Sequence, residues 1–552
     1  MQTYMSTKKY NNEWKNYLNM LNYYNVNDIC LKFVNQLKLD EEKYNQGTDV
    51  SDCALNTPRS KSSINKKFNI AYILATTLYP MKEGKDILME KRWSYMQYQR
   101  LISKLSKAFK VQLERDEQIK NEYKEIRKTH VRKNFCELKK KSLSDLIINP
   151  TPMTVEVSPI EDLQPFYNFL SSNDVVINGY KEFKRGIQYD DGRMDLCKQV
   201  VGPPHIDALM EALGNNTQIE HFLLGNNIIG MNGALAISKF LKISKSKIKT
   251  WYLAGNELDS NCIQLISEAL KDDDVCNALW LKRNPLKPEG GKYISELLKY
   301  NKYIKVLDLQ NTGILDEGIR YIFEGLKDNN TLRQLYLDAN GITVQGAKYI
   351  SRYFDYLVEN NIKGITSLWL SINRIDDEGV ILLSESLKNY KYLKRLCIGS
   401  NRISDIGISS LYQSLVNHEN LIVLDIGLYK STSDLQELPN NIGDLGAKWI
   451  AKFIEHNKSL KVLSILHNNI SNEGLEEINI SLQKNKTLLS LYYEQYGLDI
   501  LPKLKHDIKN KLKENIQNNL GLSYTQFMNN NVRFIKGSKK LRFIDSNYRN
   551  NM

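Results

Sequence analysis

The side chains in this 552-residue chain that could do chemistry are suited to gripping a partner rather than breaking a bond. Tyr252, Trp280, Tyr336, Trp369 and Tyr492 occupy one equivalent position of a recurring pattern. Lys282, Asp308, Gln310, Asp338 and Arg395 occupy that position or its immediate outward neighbours. Tyr and Trp bury a large area for few frozen torsions and are enriched at the energetic centres of interfaces. Set among mixed charges, they suit a protein or peptide partner. The alternative is that these rings pack against an internal segment such as the N-terminal region. A second set is Arg374 and Arg402, which follow equivalent turn residues in adjacent copies, with Arg283 preceding another. A loop arginine can stabilise charge on a transferring phosphoryl group, which supports a second reading, a regulator of a small GTPase. The plainer reading pairs these arginines with Asp376, Asp377 and Asp405.

Signatures of catalysis and of bound groups are missing. Gly290-Gly291-Lys292 is followed by Tyr293, so it is no phosphate-binding loop, and neither H-E-x-x-H nor G-x-S-x-G occurs. The histidines (130, 205, 221, 418, 456, 467 and 506) have no metal-ligand spacing; His221 and His467 are expected at the surface. Cys30, Cys53, Cys136, Cys197, Cys262, Cys276 and Cys397 form no C-x-x-C pair, and Cys262 and Cys276 fall in small or apolar repeat positions, as core residues of a reducing compartment would. We therefore expect no enzyme, cofactor or metal. Residues 1–14 are polar, and the longest apolar stretch, 70–79, falls short of the roughly 20 residues a membrane helix needs. The expectation is an intracellular protein, cytoplasmic in compartment, without a signal peptide or transmembrane segment.

The elements that must position these residues come from a 28-residue repeat over about 191–498. Each copy aligns on a slot, usually Asn, with apolar residues eight, five and three before it and two after, and a small residue six after. Asn340 shows it as Leu332, Leu335, Leu337, Ile342 and Gly346. Asn227, Asn256, Asn284, Asn373, Asn401 and Asn468 fit the same frame, and Gln199, Thr312, Tyr429 and Tyr496 fit it with a substituted slot. About five extra residues lie near 355–364, and an 11-residue insertion separates Tyr429 from Asn440. Before the slot the apolar residues alternate as in a strand; after the small residue they take helical spacing. One strand, a tight loop and one helix cannot bury their apolar faces alone, so the units must stack. The aromatic positions, four before each slot, then point out of the strand away from the helices.

Copies such as LRQLYLDANGITVQGAKYI at 332–350 and LKRLCIGSNRISDIGISSL at 393–411 resemble the leucine-rich repeat family, in its ribonuclease-inhibitor-like subtype. The resemblance implies an α/β solenoid: a curved horseshoe of about eleven β–α units with a parallel sheet on its concave side. It also implies a non-enzymatic scaffold that binds a protein or peptide on that side, or, as in some members, an activator of a small GTPase.

The flanks resemble nothing specific. Residues 1–180 are expected to be mostly helical and basic, with a polar loop at 46–66 and a short apolar element at 68–79. The net charge of +13 is concentrated at 82–141. A solvated helix face is the plain reading of that stretch; contact with nucleic acid or a membrane surface is the weaker alternative, and nucleic acid is not the expected partner. Residues 499–552 are expected to form a closing helix and a basic tail, partly ordered against the last repeat or mobile.

Overall fold

The computed structural model of the protein describes residues 142–152, 155–243, 247–530 and 543–550. The helices expected within 1–45, the linker at 46–66, the apolar element at 68–79 and the basic stretch at 82–141 lie outside the described residues.

Stacked strand–helix units make the fold, an α/β repeat solenoid. The strands are β1 (Tyr180–Glu182), β2 (Ile187–Tyr189), β3 (Arg193–Asp195), β4 (His221–Leu223), β5 (Thr250–Tyr252), β6 (Ala278–Trp280), β7 (Val306–Asp308), β8 (Gln334–Tyr336), β9 (Ser367–Trp369), β10 (Arg395–Cys397), β11 (Val423–Asp425), β12 (Val462–Ser464) and β13 (Ser490–Tyr492). They form one sheet in sequence order. The pairs from β3 to β13 are parallel, while β1–β2–β3 is an antiparallel lead-in. Stacked helices need about 10 Å each and strands about 4.8 Å, so such an array bends with its sheet on the inside.

The Asn340 unit shows how sequence becomes structure. Leu332, Leu335, Leu337 and Ile342 are buried to 1% or less. Helix Val344–Glu359 begins where Thr343 Oγ1 accepts from the Gln345 N–H at 3.2 Å, and it adds Ala347, Ile350 and Phe354 to the same core. Each such large side chain is worth roughly 1.5–3 kcal/mol when fully buried, but only because a neighbouring unit covers it. The extra residues near 355–364 are taken up where this helix runs on to Glu359 and in the loop behind it. Asp316 on the preceding helix ties the units together, accepting from Thr343 N (2.8 Å) and Thr343 Oγ1 (2.6 Å). The small residue has a steric cause. A Cβ on Gly407 would stand 2.6 Å from Ile403 Cγ2 and 2.7 Å from Asp377 Oδ1.

At the slot the chain leaves the strand through a residue of positive φ: Asn226, Gly255, Arg283, Asn311, Ala339, Ile372, Ser400 and His467 each precede one. That turn leaves backbone groups unpaired inside the stack, and the slot side chain satisfies them. Asn373 Oδ1 accepts from the Asn340 and Ile342 N–H groups at 2.9 and 3.0 Å, and its Nδ2 donates to Leu337 O and Leu370 O. Two expected slots move. Tyr429 does not fill this place; Asn440 does, accepting from Asn401 N (2.7 Å) and Ile403 N (3.1 Å) and donating to Ile426 O. The insertion therefore precedes the slot of its unit instead of following it. In the last unit Gln495 donates to Ile465 O at 3.0 Å, one position before the expected Tyr496, whose ring stacks on His467.

Both ends are covered. Helix Ile160–Ser172 places Leu163, Phe166, Tyr167 and Leu170 in the common core beside the first repeats, and helix Pro502–Leu520 places Leu504, Ile508 and Leu512 there beside the last. Among the described residues no helix is long and apolar enough to cross a membrane.

Candidate partner-binding face

Parallel pairing in register turns the last residue of each strand from β3 to β13 into one line across the sheet. Asp195, Leu223, Tyr252, Trp280, Asp308, Tyr336, Trp369, Cys397, Asp425, Ser464 and Tyr492 are successive partners. The preceding strand residues, such as Leu335, belong to the core beneath the helices, whereas Tyr252, Trp280, Tyr336 and Trp369 form a separate apolar cluster on the other side of the sheet. Asp195 starts the line. Its place four before Gln199 was available to sequence reasoning, which did not single it out.

The rings that point away from the helices are not open to solvent. Tyr252, Trp280, Tyr336 and Trp369 are between 0 and 9% exposed. Strand spacing sets neighbouring rings against each other: Tyr336 and Trp369 stack at 3.8 Å, Trp280 lies 5.4 Å from Tyr336, and Tyr252 lies 6.3 Å from Trp280. Trp280 and Tyr336 sit on either side of Asp308 in the line, and Asp308 is 2% exposed. Burial pushes its carboxyl up to about 6, against the opposing pull of Lys282 and a hydrogen bond from the Gln310 N–H. Asp338, also buried, accepts from the Ser371 N–H at 2.6 Å; burial, reinforced by Asp308 and Asp425, pushes it up to about 8. Arg395 is buried with its guanidinium 5.3 Å above the Trp369 ring, and Lys282 Nζ lies 5.9 Å from the Tyr252 ring. Lys282, Gln310 and Tyr492 are half-buried. Tyr492 stands apart on β13, three strands beyond the strand next to Trp369's own. Trp280 Nε1 and Tyr336 Oη are buried without a hydrogen-bond partner among the described residues.

Part of the cover is the chain itself. Residues 543–549 lie against β2–β5. Ser546 Oγ donates to Asp195 Oδ1 (2.9 Å), and the Asn547 N–H donates to Asp195 Oδ2 (3.0 Å). Arg193, held by Asp191, donates from Nη1 to Asp545 O at 2.6 Å, and the Gly186 N–H donates to Tyr548 Oη at 3.0 Å. Phe543 stacks on His221 at 4.0 Å, Ile544 joins the apolar cluster, and Arg549 lies 4.3 Å over the Tyr252 ring while donating to its hydroxyl. The tail expected against the last repeat thus divides. Phe527 does pack there with Leu489 and Ile516, but 543–549 reaches the opposite end of the array. His221 is accordingly no surface group. It is buried, its Nδ1 is 2.9 Å from Thr250 Oγ1, and burial drops its pKa to about 4. Cys262 and Cys276 are core residues, whereas Cys197 and Cys397 lie on the ring side of the sheet.

The loop arginines share a partner outside the expected set, and of that set Asp376 still acts on Arg402. Glu437, from the insertion, is fully buried and takes Arg374 on Oε1 (2.6 Å) and Arg402 on Oε2 (2.9 Å). Arg374 also donates to Ser142 O at 2.9 Å. Asp377 and Asp405 instead accept from the Ser404 and Gly443 N–H groups at 2.7 Å, repeating the role of Asp316. An arginine bound in this way is not available to reach a nucleotide, so the geometry does not favour the GTPase reading. Glu437 could not be found from spacing, because it lies in the one stretch that does not repeat. Among the described residues no group of three His, Cys, Asp or Glu could hold a metal ion.

Comparison with known proteins agrees with the architecture. A family model described as leucine-rich repeat matches residues 300–323, 328–351 and 456–478. Among solved structures, "Leiomodin-1 Actin-Binding Site 2 (ABS2)" is similar at 20% identity, over 34% of this chain and 96% of that one, with a TM-score of 0.25. A likeness of that size carries no argument about partners.

Proposed function

Starting from a leucine-rich repeat protein, a kind of module that is typically non-enzymatic and used for protein interaction, we propose that this chain is a scaffold that binds a protein or peptide on the sheet face, along the line from Tyr252 to Trp369, and carries out no chemistry of its own. We place it in the ribonuclease-inhibitor-like subtype, on its 28-residue units with a full helix in each, and in the cytoplasm.

The observation that supports this most is the seating of 543–549. The face holds a peptide segment that ends in a single helical turn, Asn547–Asn550, by hydrogen bonds to its backbone and side chains and by ring stacking. A surface with that chemistry can hold a partner's segment too. Over β6–β10 the rings, the acids and Arg395 continue it. The half-buried Lys282 and Gln310 stand at its edge. Lys282→Glu with Gln310→Arg should therefore remove a co-purifying partner while leaving the melting temperature nearly unchanged, and Lys348→Glu on the exposed helix side should not. Retention of the partner by the double variant, with loss by the Lys348 variant, would place the interface on the helices.

A further inference from the structure

We infer that the sheet face over β2–β5 is a peptide groove with a resident occupant, the chain's own 543–549, and that it takes in trans a peptide of the same chemistry: an aromatic–aliphatic pair, then Ser two residues on, then Tyr-Arg after one further residue. This rests on reading the sheet face as the binding surface and specifies one part of it.

The groove is built for this occupant from several elements. Asp195 is fully buried and oriented by the Cys197 N–H at 3.1 Å, so its two oxygens face the Ser hydroxyl and the following N–H with little freedom left to lose. Arg193 is fixed by both oxygens of Asp191, at 2.9 and 3.1 Å, with a nitrogen aimed at the occupant's backbone. His221 offers a ring face, uncharged at neutral pH, to the first aromatic residue. The apolar cluster that contains Leu223 and Tyr252 receives the aliphatic side chain, and Tyr252 receives the final arginine on both its face and its hydroxyl. Preorganised groups of this kind recognise side-chain identity rather than an extended backbone alone.

Tethering sets the terms of exchange. A segment on the same chain competes at an effective concentration in the millimolar range, so a partner peptide must bind well to displace it, or the segment must be released first. Release also uncovers Tyr252, the first ring of the line that runs on to Trp280.

The test uses the full chain and a fluorescein-labelled peptide of residues 540–550. Fluorescence polarisation compares wild type with a released variant, Ile544→Asp with Ser546→Glu, both checked for unchanged melting. The released variant should bind at least about tenfold more tightly than wild type, and adding Asp195→Asn to it should cost about tenfold again. Equal binding by wild type and released chain, or no binding by the released chain, overturns the inference. Either result leaves the broader face open to its own test at Lys282 and Gln310, so the two failures are distinguishable.

Discussion

Ser546 donates to Asp195 at 2.9 Å across 351 residues of sequence, closing the last described segment of the chain onto its first parallel strand. The acceptor is fully buried and shared with the Asn547 N–H. Removing it should free the segment without disturbing the stack. In Asp195→Ala, amide hydrogen exchange at 543–550 should rise to the rate of an unstructured peptide while β6–β12 stay protected. Unchanged protection at 543–550 would mean the segment is held by other contacts.

Two acids on the face tie stability to pH. Burial raises Asp308 to about 6 and Asp338 to about 8 from an ordinary value of 3.8. A raised carboxyl favours the folded state in its protonated form. Its contribution is complete below the ordinary value and is lost as pH rises through the folded one. The part of the unfolding free energy carried by these two acids should therefore fall between about pH 4 and pH 8, opposed below about 6.5 by His221, which burial lowers to about 4, and in urea unfolding Asp338→Asn should flatten the upper part of that fall. A slope identical to wild type above pH 6 would show that Asp338 is ionised in the fold throughout.

In the Arg374–Glu437–Arg402 group Glu437 and Arg402 are buried and Arg374 is half-buried. Glu437→Gln removes the buried carboxylate that both guanidinium groups share and should cost about 3–5 kcal/mol. Replacing all three by apolar residues of similar volume should cost much less, as a buried ion group often breaks even against well-packed apolar side chains. Equilibrium denaturation of the two variants decides this, and equal losses would contradict it.

Placing the slot at Asn440 also has a measurable consequence. Asn440→Ala orphans the Asn401 and Ile403 N–H groups inside the stack and should cost about 2–6 kcal/mol, at roughly 1–3 kcal/mol per orphaned group. Tyr429→Phe removes the bond from its hydroxyl to Asp425, leaves the Asn401 and Ile403 N–H groups paired, and should cost about 1 kcal/mol. The reverse order would restore the slot to Tyr429.

These cases show what a repeat makes legible. A period of 28 residues carries the strand, the turn and the helix, because each unit must present the same apolar positions to its neighbour. It also carries the line from Tyr252 to Trp369, since register is inherited from the stacking. The side of the slot on which the insertion falls was also legible, because Ile442 and Gly446 stand two and six after Asn440, and the hydrogen bonds agree with that frame. Spacing could not show that the rings are buried, because exposure depends on what lies over the sheet. Glu437 between two arginines and Ser546 on Asp195 are pairings of residues far apart in sequence, from segments with no period, and local patterns hold no trace of them.

The central claim is that partners meet this protein on its sheet face. The most direct measurement places a photo-crosslinking amino acid at Gln310 on that face and, separately, at Lys348 on the exposed helix side, in the full chain in its native cell. The account predicts a discrete crosslinked partner from Gln310 that Lys282→Glu diminishes, and none from Lys348. The same partner captured from Lys348, with nothing from Gln310, would contradict it.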